Sequence, residues 1–284
     1  MIQKSRTFAA AIRGIAAVSM LLATAAGAQT LSETAKTDGV RVAYFNYAPF
    51  AYVADDGGVI GTDVEILEAV LGQMGIEVAD AVSTDWGALI PGLKAGRYDV
   101  VAAGMFVTPA RCAEVAFSEP TFGIRATLVV PTGNPKGISR YEDILEQGAV
   151  LAAVSGTAQV AAALEMGIGR AKVQEYPDAP TALAALRAGR ADAFGVDAPS
   201  ARQIIENQPS ADFEMVEPFA EIGGKSAVDH GAFAFRQEDQ AFVEQFNATM
   251  RDFVGGADYV TINEAHGMTA DEAPVRSVSE LCGS

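Results

Sequence analysis

Val40-Arg41-Val42-Ala43-Tyr44, followed by Thr62-Asp63-Val64-Glu65-Ile66-Leu67-Glu68-Ala69-Val70-Leu71, is the stretch on which the architecture turns. The first five residues carry β-branched or aromatic side chains at alternate positions and predict a short strand. The second run sets Val64, Leu67, Val70, Leu71 and Met74 at helical spacing and predicts an amphipathic helix. Thr62 or Asp63 is placed to cap it, and Gly75 to end it. Between them, Asn46-Tyr47-Ala48-Pro49-Phe50 reads as a loop at the strand's carboxyl end, and Asp55-Asp56-Gly57-Gly58 as a turn. Ile76 to Val82 reads as a second strand, Trp86 to Lys94 as a short helix stopped by Gly96, and Asp99 to Ala103 as a third strand. Strand, helix, strand, helix, strand implies a parallel sheet with helices on its faces. Ligands of such sheets sit at the carboxyl ends of the strands, which places the loops holding Phe50 and Phe106 at a binding edge.

The pattern recurs downstream. Val150 to Val154, Val173 to Tyr176 and Ala191 to Val196 read as strands. Helices are expected around Ile144-Leu145 and over Ala158 to Met166, Pro180 to Ala188 and Pro199 to Asn207. Ala232 to Phe235 adds a strand, and Glu238 to Val254 a long helix with Phe242, Val243, Phe246, Met250 and Phe253 on one stripe. The Pro/Gly stretch at 131–135 separates the first block from the second, and 221–226 separates the second from the tail. The expected architecture is α/β: two lobes, each a mostly parallel sheet flanked by helices, joined by two crossings. Residues 29–130 and 228–284 form one lobe, and 131–227 the other.

The amino terminus reads as separate from this fold. Lys4, Arg6 and Arg13 precede an apolar run from Ile15 to Leu22, then Ala26-Gly27-Ala28. A charged segment, a short apolar core and an A-x-A site predict a secretory signal, residues 1–28, cleaved after Ala28. The run is too short to span a bilayer, and no Cys follows to take a lipid anchor. The chain of 284 residues has a formal charge of −16, which becomes −19 without the three signal cations. So acidic a chain is a poor partner for nucleic acid or an anionic membrane. Half of its residues are hydrophobic and a fifth are charged, enough for a sizeable core. Cys112 and Cys282, an even pair in an exported chain, suggest one disulfide; two unrelated thiols is the plainer alternative. His230 and His266 are isolated and the cysteines far apart, so no metal-ligand spacing and no cofactor are expected.

Ala95-Gly96-Arg97-Tyr98-Asp99-Val100, Thr108-Pro109-Ala110-Arg111-Cys112 and Val115-Ala116-Phe117-Ser118-Glu119-Pro120 occur in that order. They resemble the polar amino-acid family (family 3) of solute-binding proteins that serve ABC importers. Ala188-Gly189-Arg190-Ala191-Asp192-Ala193-Phe194 looks like the matching motif of the second block. The resemblance spans nearly all of the exported chain and implies the type II periplasmic-binding-protein fold, a periplasmic location and permease subunits as partners. A monomer is expected. The run Trp86-Gly87-Ala88-Leu89-Ile90-Pro91-Gly92-Leu93, Met105-Phe106, Arg111-Cys112 and the terminal Cys look most like ectoine- and hydroxyectoine-binding proteins.

Site residues follow from both sources. Arg111 comes after a strand end, where its planar fork can grip a carboxylate with two parallel bonds; the resemblance gives it that role, and a solvated surface Arg is the alternative. Thr157 stands at a helix N-terminus, which favours a carboxylate; a simple cap is the alternative. By resemblance Asp197 meets a ligand ammonium, although an Asp ahead of Pro199 also suits a helix cap. Phe50, Trp86 and Phe106, with Tyr47 at the rim, resemble an aromatic box round a cationic or delocalised ring; each would otherwise be core. Two positions depart from the ectoine binders. Tyr47 stands where they carry an acid and Asp197 where they carry an apolar residue, which moves the counter-charge for a cationic end to the second lobe. The implied function is capture of a small zwitterionic solute by lobe closure. The alternatives are a periplasmic cyclohexadienyl-dehydratase-like enzyme, which needs a placed acid or base such as a Glu in the cleft, and a soluble sensor partner.

Overall fold

A computed structural model describes residues 30–207 and 211–283. The expected signal segment lies outside these residues. In the first lobe the strand Val40–Tyr44 is central, parallel to Val78–Ser83 on one side and Val100–Val101 on the other. Ala234–Phe235, from the tail, adds antiparallel to Val100–Val101, and Ala116–Phe117 closes the sheet. Alternation along the strands sorts side chains to the two faces. Val40, Val42, Val100, Phe233 and Phe235 join the helix Thr62–Gln73 and the long helix Gln240–Phe253 in one core cluster. Ala43, Val101 and Ala234 face the other way, towards Leu89 and Leu93. The tail therefore belongs to this lobe, as the apolar stripe of Phe242, Phe246 and Met250 predicts.

The second sheet runs in the order Phe213–Met215, Phe122–Pro131, Ala193–Asp197, Leu151–Val154, Val173–Tyr176. The last three strands are parallel and the first two pairings antiparallel. Both sheets are thus mixed: parallel where helices cross over, antiparallel where the chain passes between lobes.

Phe122–Pro131 is one of the two crossings. Its first half pairs with the return crossing Val228–Gly231 in antiparallel register, Phe122 with Gly231 and Arg125 with Val228. Its second half is built into the second sheet. Buried on both faces there, it shows no period-2 signal, and it escapes a reading by alternation. Gly231 is dictated by packing: a Cβ on it would stand 2.0 Å from the Phe122 ring.

Details at element ends differ from expectation. Gly61, not Thr62 or Asp63, caps the first helix. Asp63 turns inward instead, for a reason given below. The helix from Trp86 begins as one 3-10 turn, Trp86–Ala88, before Leu89–Lys94. Cys112 and Cys282 form a disulfide, which pins the short helix Pro109–Cys112 to the terminal helix Val278–Cys282.

Candidate functional site

The carboxyl ends of the two parallel sheet cores face each other across a narrow cavity. Phe45, Tyr47, Trp86, Gly104 and Phe106 line it from the first lobe. Val154, Thr157, Ala158, Gln159 and Asp197 line it from the second. Each position follows from local structure. Phe45 and Tyr47 continue the alternation of Ala43 beyond the strand end, and their rings lie 6.0 Å apart. Trp86 opens its 3-10 turn and meets Phe45 edge to face at 5.8 Å. Asp197 ends its strand and begins the helix Ala198–Glu206.

The two walls are already in contact. The Trp86 indole N–H donates to the Gly156 carbonyl at 3.1 Å. The Tyr47 hydroxyl donates to Asp197 Oδ2 at 2.6 Å, and Ser200 Oγ donates to the Ala48 carbonyl at 2.8 Å. The conformation is therefore closed, with Trp86, Tyr47 and Arg111 spanning the gap.

Arg111 is half-buried, because Pro109 starts a four-residue helix that Thr108 caps with its side chain. Its guanidinium donates to the Phe106 carbonyl at 2.8 Å and the Gly156 carbonyl at 3.4 Å, and lies 5.5 Å from the centre of the Trp86 ring. Burial lowers its pKa, and the charge of Asp229 opposes that.

Asp197 is 2% exposed. Its Oδ1 accepts the Ser200 N–H at 2.9 Å, so the capping role is realised, while Oδ2 takes the Tyr47 hydroxyl. Burial raises its pKa, with the Tyr47 and Ser200 hydrogen bonds acting against that. Burial, and then the Asp197 charge, raise that of Tyr47 well above a phenol's usual range. Thr157 stands at the N-cap of Ala158–Glu165, but its hydroxyl donates backwards to the Val154 carbonyl at 2.7 Å. The first N–H groups of that helix are left without a side-chain cap, on residues that line the cavity.

Phe50 stands one layer back. It is 1% exposed, packs on Phe122 at 4.7 Å and stacks on Tyr47 at 5.8 Å. It supports the wall rather than forming it, because Gly104 comes between: with φ at +65°, a Cβ there would stand 2.7 Å from the Phe50 ring. Asp63 holds this Gly104 loop. It is fully buried and accepts the Gly104 N–H at 2.6 Å, and burial raises its pKa to about 7 against that hydrogen bond.

Phe45, Gly104, Gln159 and Asp229 are absent from the sequence-level candidates. Gln159 carried a signal, as the one buried polar residue in the largely apolar helix Ala158–Glu165. Asp229, on the return crossing, carried none until its strand was paired.

Comparison with known proteins agrees with this geometry. The model of the bacterial extracellular solute-binding proteins, family 3, matches residues 40–268. A probable amino-acid ABC transporter periplasmic-binding protein of Sinorhizobium fredii is 31% identical over 95% of this chain and 91% of its own length. The lysine/arginine/ornithine-binding periplasmic protein of Escherichia coli is 27% identical over 84% of this chain and 90% of its own. Among solved structures, EhuB in complex with hydroxyectoine superposes with a TM-score of 0.81 at 30% identity, covering 88% of this chain and 96% of that one. Between them the family model and the Sinorhizobium relative take in both lobes and both crossings. The chain belongs to the bacterial extracellular solute-binding proteins, family 3.

Proposed function

We propose that the protein is the extracytoplasmic binding component of an ABC importer and captures a small zwitterionic solute between its lobes. The observation that carries this reading is the cavity: four aromatic side chains on one wall, a half-buried guanidinium beside the Trp86 ring, and the buried Asp197 carboxylate on the far side. Arg111 takes the solute's carboxylate, helped by the uncapped helix N-terminus behind Thr157. Trp86, Phe106, Phe45 and Tyr47 enclose an apolar or delocalised middle, with Phe50 behind them. The acidic side receives the cationic end. Both lobes wall the cavity, so the solute favours the closed state, which membrane permease subunits would then read. The likeness to EhuB with hydroxyectoine makes that solute, and ectoine, the first to try. The basic amino acids named for the Escherichia coli relative come next. The signal pattern in residues 1–28 supports a periplasmic location.

The cavity also bears on the enzyme reading. One structural neighbour is an ancestral amino-acid-binding protein described as a precursor of cyclohexadienyl dehydratase, with a TM-score of 0.72 at 26% identity. A dehydratase needs a free acid or base at the ring. Among the described residues no glutamate lines this cavity, where Gln159 stands, and each Asp197 oxygen already accepts a hydrogen bond. Both features favour binding over turnover.

A thermal-shift screen of ectoine, hydroxyectoine, their open-chain precursors, the standard amino acids and neutral sugars tests the proposal. A binder at 100 times its Kd stabilises by about 2.7 kcal/mol. Zwitterions are expected to raise Tm, and Arg111→Ala to abolish the shift. A response to sugars alone, or turnover of a cyclohexadienyl acid, would overturn the reading.

A further inference from the structure

We propose that Asp229, on the return crossing between the lobes, receives the cationic end of the solute and so decides which zwitterions are bound; the inference rests on the zwitterion reading above. Unspent charge points to it. Asp197, the acid the resemblance offers for this role, has one oxygen on the Ser200 N–H and the other on the Tyr47 hydroxyl. Both donors are neutral, and a cation brought onto the second oxygen has to share it with the Tyr47 contact that holds the lobes together.

Asp229 stands differently. It lies opposite Ile124 on the antiparallel crossings, half-buried. With Thr108 and Ala158 it lines a second cavity, and Ala158 is common to the walls of both. Among the described residues, no N–H or O–H donates to its carboxylate. Arg111 is the cation it feels most, yet Arg111 donates only to the carbonyls of Phe106 and Gly156 and closes no ion pair with it. Thr108, which caps the Arg111 helix, borders Asp229's cavity. A guanidinium and a carboxylate therefore feel each other's charge without meeting. Holding two such charges apart away from water is costly. A solute with its carboxylate on Arg111 and its ammonium or amidinium on Asp229 relieves both.

The environment of Asp229 adds a second signature. Burial raises its carboxyl to about 6, Asp197 pushes the same way, and Arg111 opposes. The buried Tyr141 hydroxyl also feels its charge. A cation arriving beside Asp229 favours the ionised form, so binding near pH 6 releases a proton.

Calorimetric titration of hydroxyectoine and L-arginine into wild type, Asp229→Asn and Asp197→Asn, at pH 6 in buffers of different ionisation enthalpy, tests this. Whichever zwitterion wild type binds should bind Asp229→Asn about ten- to a hundredfold more weakly, the loss expected for a charge-assisted contact. Asp197→Asn should lose less. Wild type should release a proton on binding and Asp229→Asn should not, while the unliganded Tm of Asp229→Asn equals or exceeds wild type. Wild-type binding with no proton release, or Asp229→Asn within twofold of wild type, overturns the inference and leaves the zwitterion reading standing. Failure of wild type to bind any zwitterion overturns both.

Discussion

At Asp63 a single carboxylate trades stability for the shape of the ligand loop. Its N–H acceptor role fixes Gly104, and Gly104 leaves room for the Phe50 ring that backs the cavity. Burial raises its pKa from 3.8 to about 7. The unfolded chain holds the lower value, so the folded state binds the extra proton between these limits. The stability contributed by the neutral form is complete below pH 3.8 and is lost as pH rises through about 7. Asp63→Asn stays neutral throughout. The Tm of Asp63→Asn minus that of wild type should therefore grow more positive from pH 4 to pH 8, corresponding to a few kcal/mol at most. Calorimetric scans across this range check it, and a pH-independent difference would contradict it. Not every residue of the site could be read from the chain. Arg111 was singled out because it follows a strand end within a motif that resembles the solute-binding family's. Phe50 was not, since an aromatic after a strand looks the same in a wall or one layer behind it. Asp229 was hidden because its neighbours acquire meaning only through pairing with a distant strand.

At the scale of elements, the parallel strands and their crossover helices were plain in the sequence, because periodicities of 2 and 3.6 alternate there. The strand Phe122–Pro131 that makes one of the two expected crossings was not, because it changes partners half-way and is buried on both faces in its second half. The helix carrying Arg111 is only four residues long, too short to hold its place by its own hydrogen bonds. It is held by the Thr108 cap, by the Gln237 side-chain amide on the Cys112 and Ala113 carbonyls, and by the disulfide from Cys112 to Cys282, 170 positions away. In the chain-entropy picture a loop of that length contributes about 5 kcal/mol. Cys282→Ser should lower Tm markedly by calorimetry. It should also weaken solute binding, because the freed helix no longer fixes the Arg111 fork. Lower Tm with unchanged affinity would show that the cap and Gln237 position Arg111 without the disulfide.

The whole molecule is two mixed sheets whose ligand-bearing edges meet, joined by two strands paired side by side. Closure is written in few contacts: Trp86 to Gly156, Tyr47 to Asp197, Ser200 to Ala48, Arg111 to Gly156, Arg202 to Glu272 and Gly267, and Gln203 to His266. Such a small set suits a hinge that opens and closes with solute, and it leaves the solute's own charges to set the balance. The strongly acidic surface does not conflict with an Arg-gripped carboxylate, because the cavity is shielded from bulk charge by both walls.

The chain's single tryptophan, Trp86, lies in the cavity wall and spans the closure contact. Titrating its intrinsic fluorescence with hydroxyectoine, L-arginine and glucose therefore reads the central claim most directly. The account predicts a saturable change with at least one of the two zwitterions, none with glucose, and loss of the change in Arg111→Ala. A saturable response to glucose with neither zwitterion active, or an unaltered titration in Arg111→Ala, would contradict it.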